Sequence, residues 1–289
     1  MTQTIEREVV EVIETAPEVA TKPEVSAEPR IYVPPQVSVQ LIIFGERNRT
    51  DISGVLKEVA QAGYSAIEAG NMFETYGEET TRRLLGENNL KVSGAHFGYG
   101  DYADPEKLKK HIAYAQAIGL KNMMCSGVSD SKTTVGYLQS SELFQEVGRI
   151  LKEEGLVFQY HNHAWEFDEL DNINGMEIIA QETDADLVKF NMDIFWLHYA
   201  DEYPVYFIED YADRAGYFHF KDGNKIVEGD KVRPEFLELG NGEVDLIAAF
   251  EAAKLVNLDW IVTEQDNTKL TPLESITISR NYLKSNFEI

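Results

Sequence analysis

The chain has 289 residues, 43% hydrophobic and 26% charged, an ordinary balance for a folded water-soluble protein with room for one large domain. Fifty acidic against 26 basic residues leave a net charge of −24, a field that repels phosphate backbones and anionic bilayers and argues against nucleic-acid and membrane partners. The single cysteine, Cys125, excludes an intramolecular disulfide and fits a reducing, cytoplasmic setting.

Residues 1–35 come first and stand apart. They contain no glycine, five of the nine prolines, seven glutamates and three basic residues. So little apolar surface does not offset the entropy of ordering, and the segment is expected to be a disordered or loosely docked acidic arm. Its opening, MTQTIEREVV, lacks the basic start and apolar centre of a secretory leader, and no apolar run approaches the ~20 residues that span a bilayer.

From residue 36 to 289 one cycle repeats: a short apolar or β-branched run, a turn, then an amphipathic helical stretch. The predicted strands are 37–44, 64–70, 90–97, 120–127, 156–163, 187–195, 217–222 and 258–266. Helix starts are marked by Asp51 before ISGVLKEVAQAG and by Asp104 before a proline in DPEKLKKHIAYAQAIG; Gly155 sits where SELFQEVGRILKEEG needs a left-handed end. The closing helix is TPLESITISRNYLK. Eight strands alternating with helices over this length predict a single (β/α)8 barrel. An open doubly wound sheet would carry a glycine-rich phosphate turn after its first strand, whereas FGERNRT has one glycine; the later ELGNGEVD reads as a turn.

In such a barrel the site is built at the C-terminal strand ends. Those ends carry Glu68, His96, His161, His163 with Glu166 close by, Asp193 followed by Trp196 and His198, then His219, Lys221 and Asp222, and finally Glu264, Gln265 and Asp266. Five of the six histidines fall at or just past a strand end; the exception, His111, reads as a surface or helix-packing residue. Gathering carboxylates and imidazoles near one axis is costly without a cation or a hydrogen-bonded network to compensate. Imidazole with carboxylate suits manganese, zinc, cobalt or iron, and oxygen ligands alone would suit magnesium or calcium. One divalent ion is therefore the expected cofactor.

The runs IEAG, YHNH…EF, DIFW, HFKD, LGNGEVD and TEQD, in this order on successive strands, resemble the xylose isomerase-like TIM barrels, and within them the sugar phosphate isomerase/epimerase and inosose dehydratase-like branch. The resemblance covers 36–289. It implies a metal held by a strand-five glutamate, a strand-six aspartate, a strand-seven histidine and a strand-eight glutamate. Asp193, His219 and Glu264 match the last three, while strand five departs with His161; His163 or Glu166 in another register are the alternatives. The resemblance further implies proton transfer next to a carbonyl through an enediolate, by paired carboxylates of which Glu264 is retained. The expected activity is a metal-dependent isomerase or epimerase acting on a sugar or keto-sugar. A dehydratase or lyase on a keto-polyol, needing one base and an acid, and a non-catalytic sugar-binding barrel are the alternatives.

His163, His198 and Lys221 are the candidate proton carriers beside Glu264. Lys221 could instead pair with Asp222 or a neighbouring carboxylate. Glu68, His96, Glu166, Trp165 and Trp196 are candidate substrate contacts. The turn DNTKLTPLES lacks phosphate-cradle glycines, which with the negative charge points to an unphosphorylated sugar, inositol or keto-sugar, although Arg233 could hold a phosphate. Small-molecule carbohydrate is the expected partner, with homo-oligomerisation left open.

Overall fold

In the computed structural model of the chain, which describes residues 32–70, 75–229 and 231–289, eight parallel strands close into a barrel. They are β1 (Gln36–Gln40), β2 (Ala66–Gly70), β3 (Lys91–Phe97), β4 (Asn122–Cys125), β5 (Val157–His161), β6 (Val188–Asp193), β7 (Tyr217–Phe220) and β10 (Trp260–Thr263). Between β7 and β10 lies an antiparallel hairpin, β8 (Asp222–Glu228) and β9 (Lys231–Leu237). β10 pairs with both β7 and β1, which leaves no open edge. The expected acidic arm falls, up to residue 31, outside the described residues. No helix among the described residues is long and apolar enough to cross a membrane.

Local signals set the outer helices. Asp51 accepts the Gly54 N–H at the start of Ile52–Ala62, and Asp104 accepts two N–H groups ahead of Pro105–Ile118. Thr271 and Glu274 cap each other's backbone before Pro272–Phe287. Helix Thr134–Glu153 buries Tyr137, Phe144, Val147 and Leu151 against the barrel wall. There Phe144 packs at 5.1 Å, tilted by 33°, on Phe158 of β5, and burying each such ring contributes about 2–3 kcal/mol. His111 is buried against Phe97, ring to ring at 4.4 Å, as a helix-packing residue. Cys125 is buried too, and burial pushes its thiol up to about 12, away from nucleophilic chemistry.

Three elements depart from expectation. The first strand stops at Gln40, whose side chain accepts the Ile42 N–H and turns Leu41–Phe44 into a 3-10 helix. The sixth ends at Asp193 because that residue caps a new helix, Ile194–Tyr199, so Phe195 is helical. The seventh breaks at Lys221, and its expected last residue, Asp222, opens the hairpin. The Asp222 carboxylate accepts the N–H groups of Gly223, Gly240, Gly242 and Val244, which explains the LGNGEVD turn. Gly240 has φ +87, and a Cβ on Gly242 would lie 2.2 Å from the Asp222 carboxylate.

Inside the barrel, Met124, Tyr217 and Val262 form an apolar layer of their own. Gly94 makes room for it, since a Cβ there would meet Met124 at 2.3 Å. The register of β2 on β3 shifts between Ile67 and Glu68, which pair with Val92 and Gly94, so Ser93 is an extra residue. Its hydroxyl bonds Ser38 and Tyr217 at the barrel axis. Above this layer the interior turns polar.

Candidate active site

At the C-terminal end of the barrel, β2, β3, β5, β6, β7 and the residue after β10 deliver Glu68, His96, His161, Asp193, His219 and Glu264. One donor atom from each of His161, Asp193, His219 and Glu264 lies within 4.8 Å of the others, and the same holds for His96, His161 and His219. His161, Asp193 and His219 are buried, and the Glu264 side chain is 8% exposed. His161 Nδ1 and Asp193 Oδ2 are buried without a hydrogen-bond partner among the described residues. Orphaned acceptors in a native interior call for an explanation, and their convergence fits a bound cation. The donor set, two imidazoles and two carboxylates, suits a divalent ion of the zinc, cobalt, iron or manganese kind.

The YHNH run has a separate task for each residue. His161 turns into the barrel. Asn162 clips β5 to β6, its Oδ1 accepting the Asp193 N–H at 2.9 Å and its amide donating to the Asp193 carbonyl at 3.3 Å. His163 stacks on Trp165 with ring centres 3.9 Å apart. Tyr160 points the other way and donates to Glu166 Oε1. Asp193 both caps its helix, with Oδ1 accepting the Trp196 N–H, and leaves Oδ2 to the cluster.

Electrostatics differ sharply among these groups. Burial, and then the neighbouring imidazoles His219 and His163, hold His161 well below the usual histidine range, so it is a neutral electron-pair donor. Burial and Lys221 pull His163 down to about 3. Burial also acts on His219, but Glu68 and Glu264 outweigh it and raise the imidazole to about 10. Burial lifts the Asp193 carboxyl, whereas Lys221 and His219 overcome burial at Glu264 and hold it well below the carboxylate range. Lys221 is fully buried; Glu264, Asp193 and Asp266 outweigh its desolvation and keep it charged. Its Nζ is 2.6 Å from Asp266 and 3.4 Å from Glu264, and lies over the Phe236 and Trp196 rings at 4.6 and 4.9 Å. Lys221 is thus paired with Asp266 and Glu264, while Asp222 holds the turn.

Several expected roles meet different positions. Glu166 is buried behind β5, taking the Tyr160 O–H and the His163 N–H at 2.8 Å each. That geometry replaces the expected substrate contact and the alternative of a metal ligand, because the chain turns into the 3-10 segment Trp165–Phe167 and strand alternation no longer applies. Glu68, expected as a substrate contact, is fully buried, with Oε1 against His96 and Oε2 against His219 and Tyr217. His198 lies on helix Ile194–Tyr199 and makes no described contact with the cluster. His96, 17% exposed, and Asp266, 30% exposed, form the open rim with His163, Trp165 and Trp196. Trp196 Nε1 is buried without a hydrogen-bond partner among the described residues. Sequence reasoning missed Asn162, Tyr217, Phe236 and the pairing of Asp266.

Glu166 gives a pH signature. Burial raises its carboxyl to about 7, above the value of an unfolded chain. Between those two values the folded state holds the proton and the unfolded state has released it. This contribution to stability is therefore present at low pH and is lost as pH rises toward 7. Relative to wild type, Glu166→Gln is expected to gain about 2–3 kcal/mol between pH 5 and pH 8, read from urea midpoints. A pH-independent difference would rule out the shifted carboxyl.

The sequence profile of the xylose isomerase-like TIM barrels matches residues 56–286. Inosose dehydratase of Halalkalibacterium halodurans is 24% identical over 267 residues, covering 80% of this chain and 86% of that protein. A sugar phosphate isomerase/epimerase from Parabacteroides distasonis shares the fold with a TM-score of 0.73 at 21% identity, over 90% of this chain and 96% of that one. The IolI protein, solved with a bound zinc atom, does so with a TM-score of 0.70 at 15% identity, over 88% and 100%. The fold, the polar cluster at its C-terminal mouth and the profile match lead to one conclusion: the chain belongs to the xylose isomerase-like TIM barrel family.

Proposed function

We propose that this protein is a divalent-metal-dependent enzyme acting on a neutral keto-polyol or sugar, with removal of a proton next to a carbonyl as its first step. The observation that carries the reading is the convergence of His161, Asp193, His219 and Glu264 donor atoms within 4.8 Å, beside a buried charged lysine. These four residues would hold the ion. When bound, it supplies Lewis acidity that polarises the carbonyl and stabilises negative charge on its oxygen.

The remaining chemistry falls to the chain. Glu264, held ionised, takes the proton from the carbon beside the carbonyl. Lys221, held charged between Glu264 and Asp266, donates to the oxygen that gains negative charge or departs. Elimination of a β-hydroxyl as water then needs only the C–H electrons to form the C=C bond and one proton for the leaving group. We favour this dehydratase outcome because an imidazole, His161, stands where the paired-carboxylate mechanism has its second base. The curated relatives named as inosose dehydratases support it. Isomerisation or epimerisation, the expectation from resemblance, requires another group to return the proton, and His163, beside the cluster but held neutral, has no acidic proton to supply. A neutral substrate fits a site whose lysine is already paired, and Arg233 sits exposed on the hairpin against Glu228 at 3.0 Å.

The test is incubation of cobalt-, manganese- or zinc-loaded protein with a panel of inososes and ketoses in deuterated water. Deuterium at the carbon beside the carbonyl in recovered substrate, with new enone absorbance from product, is the expected result. Exchange with every hydroxyl retained would instead assign isomerisation. Metal binding without exchange in any panel member would leave a sugar-binding barrel.

A further inference from the structure

Glu68 is engaged on both oxygens by imidazoles from different strands. Oε1 lies 2.9 Å from His96 Nε2, and Oε2 lies 2.8 Å from His219 Nε2. The Tyr217 hydroxyl also donates to Oε2, at 2.6 Å, and receives support from Ser93, whose hydroxyl in turn bonds Ser38. The Asn191 side chain is 3.0 Å from the same His219 nitrogen; with Nε2–H given to Glu68, that amide must be turned to present its oxygen there. All of Glu68, Tyr217, Ser93, Ser38 and His219 are buried. His219 turns its other nitrogen, Nδ1, to Glu264 in the cluster.

An ionised carboxylate only accepts hydrogen bonds. Each imidazole facing it must therefore carry its hydrogen on Nε2, so a cation that reaches His219 displaces the second proton, the one on Nδ1 toward Glu264, and takes the lone pair there. We propose that Glu68 is a positioning residue: it sets the tautomer and tilt of His96 and His219 together, with Tyr217 and the Ser93–Ser38 pair fixing the carboxylate. The assignment rests on the proposed cation site and adds a buried brace beneath it. A ligating histidine commonly donates its second N–H to a carboxylate in this manner, and loss of such a partner costs roughly 10–100-fold in metal affinity. What sets this brace apart is that one carboxylate serves two imidazoles of the same cluster.

Two variants probe it, with Co2+ alone as the ligand. Glu68→Gln presents one acceptor and one donor, so one imidazole must exchange its tautomer or lose its partner. Tyr217→Phe keeps the Glu68 charge but frees its orientation. Co2+ affinity is expected to fall about 10–100-fold in Glu68→Gln and by a smaller factor in Tyr217→Phe. The visible cobalt absorption, which reports ligand identity and geometry, is expected to change in both. Unfolding of the metal-free variants checks that each is folded. Unaltered affinity and spectrum in both would overturn the assignment. So would weaker binding in Glu68→Gln with an unaltered cobalt spectrum and a normal Tyr217→Phe, because Glu68 would then be a counter-charge only. Should Glu68→Gln not fold, Tyr217→Phe decides alone by the same readouts. Failure of the wild-type protein to bind Co2+ would instead remove the cation site itself, a result distinct from either.

Discussion

Glu264→Gln is expected to reduce turnover by at least about 10²–10⁴-fold, the usual worth of a positioned general base, while the protein remains folded. The side chain offers a ligand oxygen and a proton acceptor but little packing. Its neighbours keep other partners, since His219 still has Glu68 and Lys221 still has Asp266. The amide cannot take a proton at working pH and is a weaker ligand, so solvent-deuterium exchange and metal content should fall together. The thermal midpoint of the metal-free variant, measured beside the exchange rate, separates loss of chemistry from loss of fold. Wild-type exchange in Glu264→Gln would remove this residue from the mechanism.

His161→Ala is expected to weaken metal retention by more than the ~10–100-fold that an outer partner is worth. The buried imidazole is held neutral by desolvation and by its histidine neighbours, which keeps a lone pair ready, and its Nδ1 has no hydrogen-bond partner among the described residues. The stabilisation that excess divalent ion gives the wild type, about 2.7 kcal/mol at a hundred times Kd, should shrink or vanish in the variant. Metal analysis after dialysis and thermal shifts with added zinc or cobalt provide the measurement. Unchanged metal content would pass the strand-five role to His163, because Glu166 lies behind the strand.

Much of the architecture was legible because strands buried on both faces read as unbroken apolar runs, and Asp51, Asp104 and Thr271 announce their helices. The hairpin was not. GNKIVEG and KVRPEFLEL are interrupted by charges and by Pro234, and the clasp at their base joins Asp222 to Gly242, 20 residues on. The residues brought to the mouth were legible as polar strand ends. Their division of labour was less so. Alternation fails at Glu166 and His198, where the chain has left the strand, and the Tyr217–Glu68 bond joins residues 149 apart in sequence. The bulge at Ser93 changes which side chains of β3 face inward, and a run such as LKVSGAHF gives no sign of it.

The Asn162 clip has a consequence for how the site is loaded. By gripping both the N–H and the carbonyl of Asp193, it makes the ends of β5 and β6 one rigid jaw, with His161 and Asp193 as its two teeth. An ion taken up as proposed would meet a preformed chelate on that side, and the entropy lost on capture would be confined largely to the opposing wall.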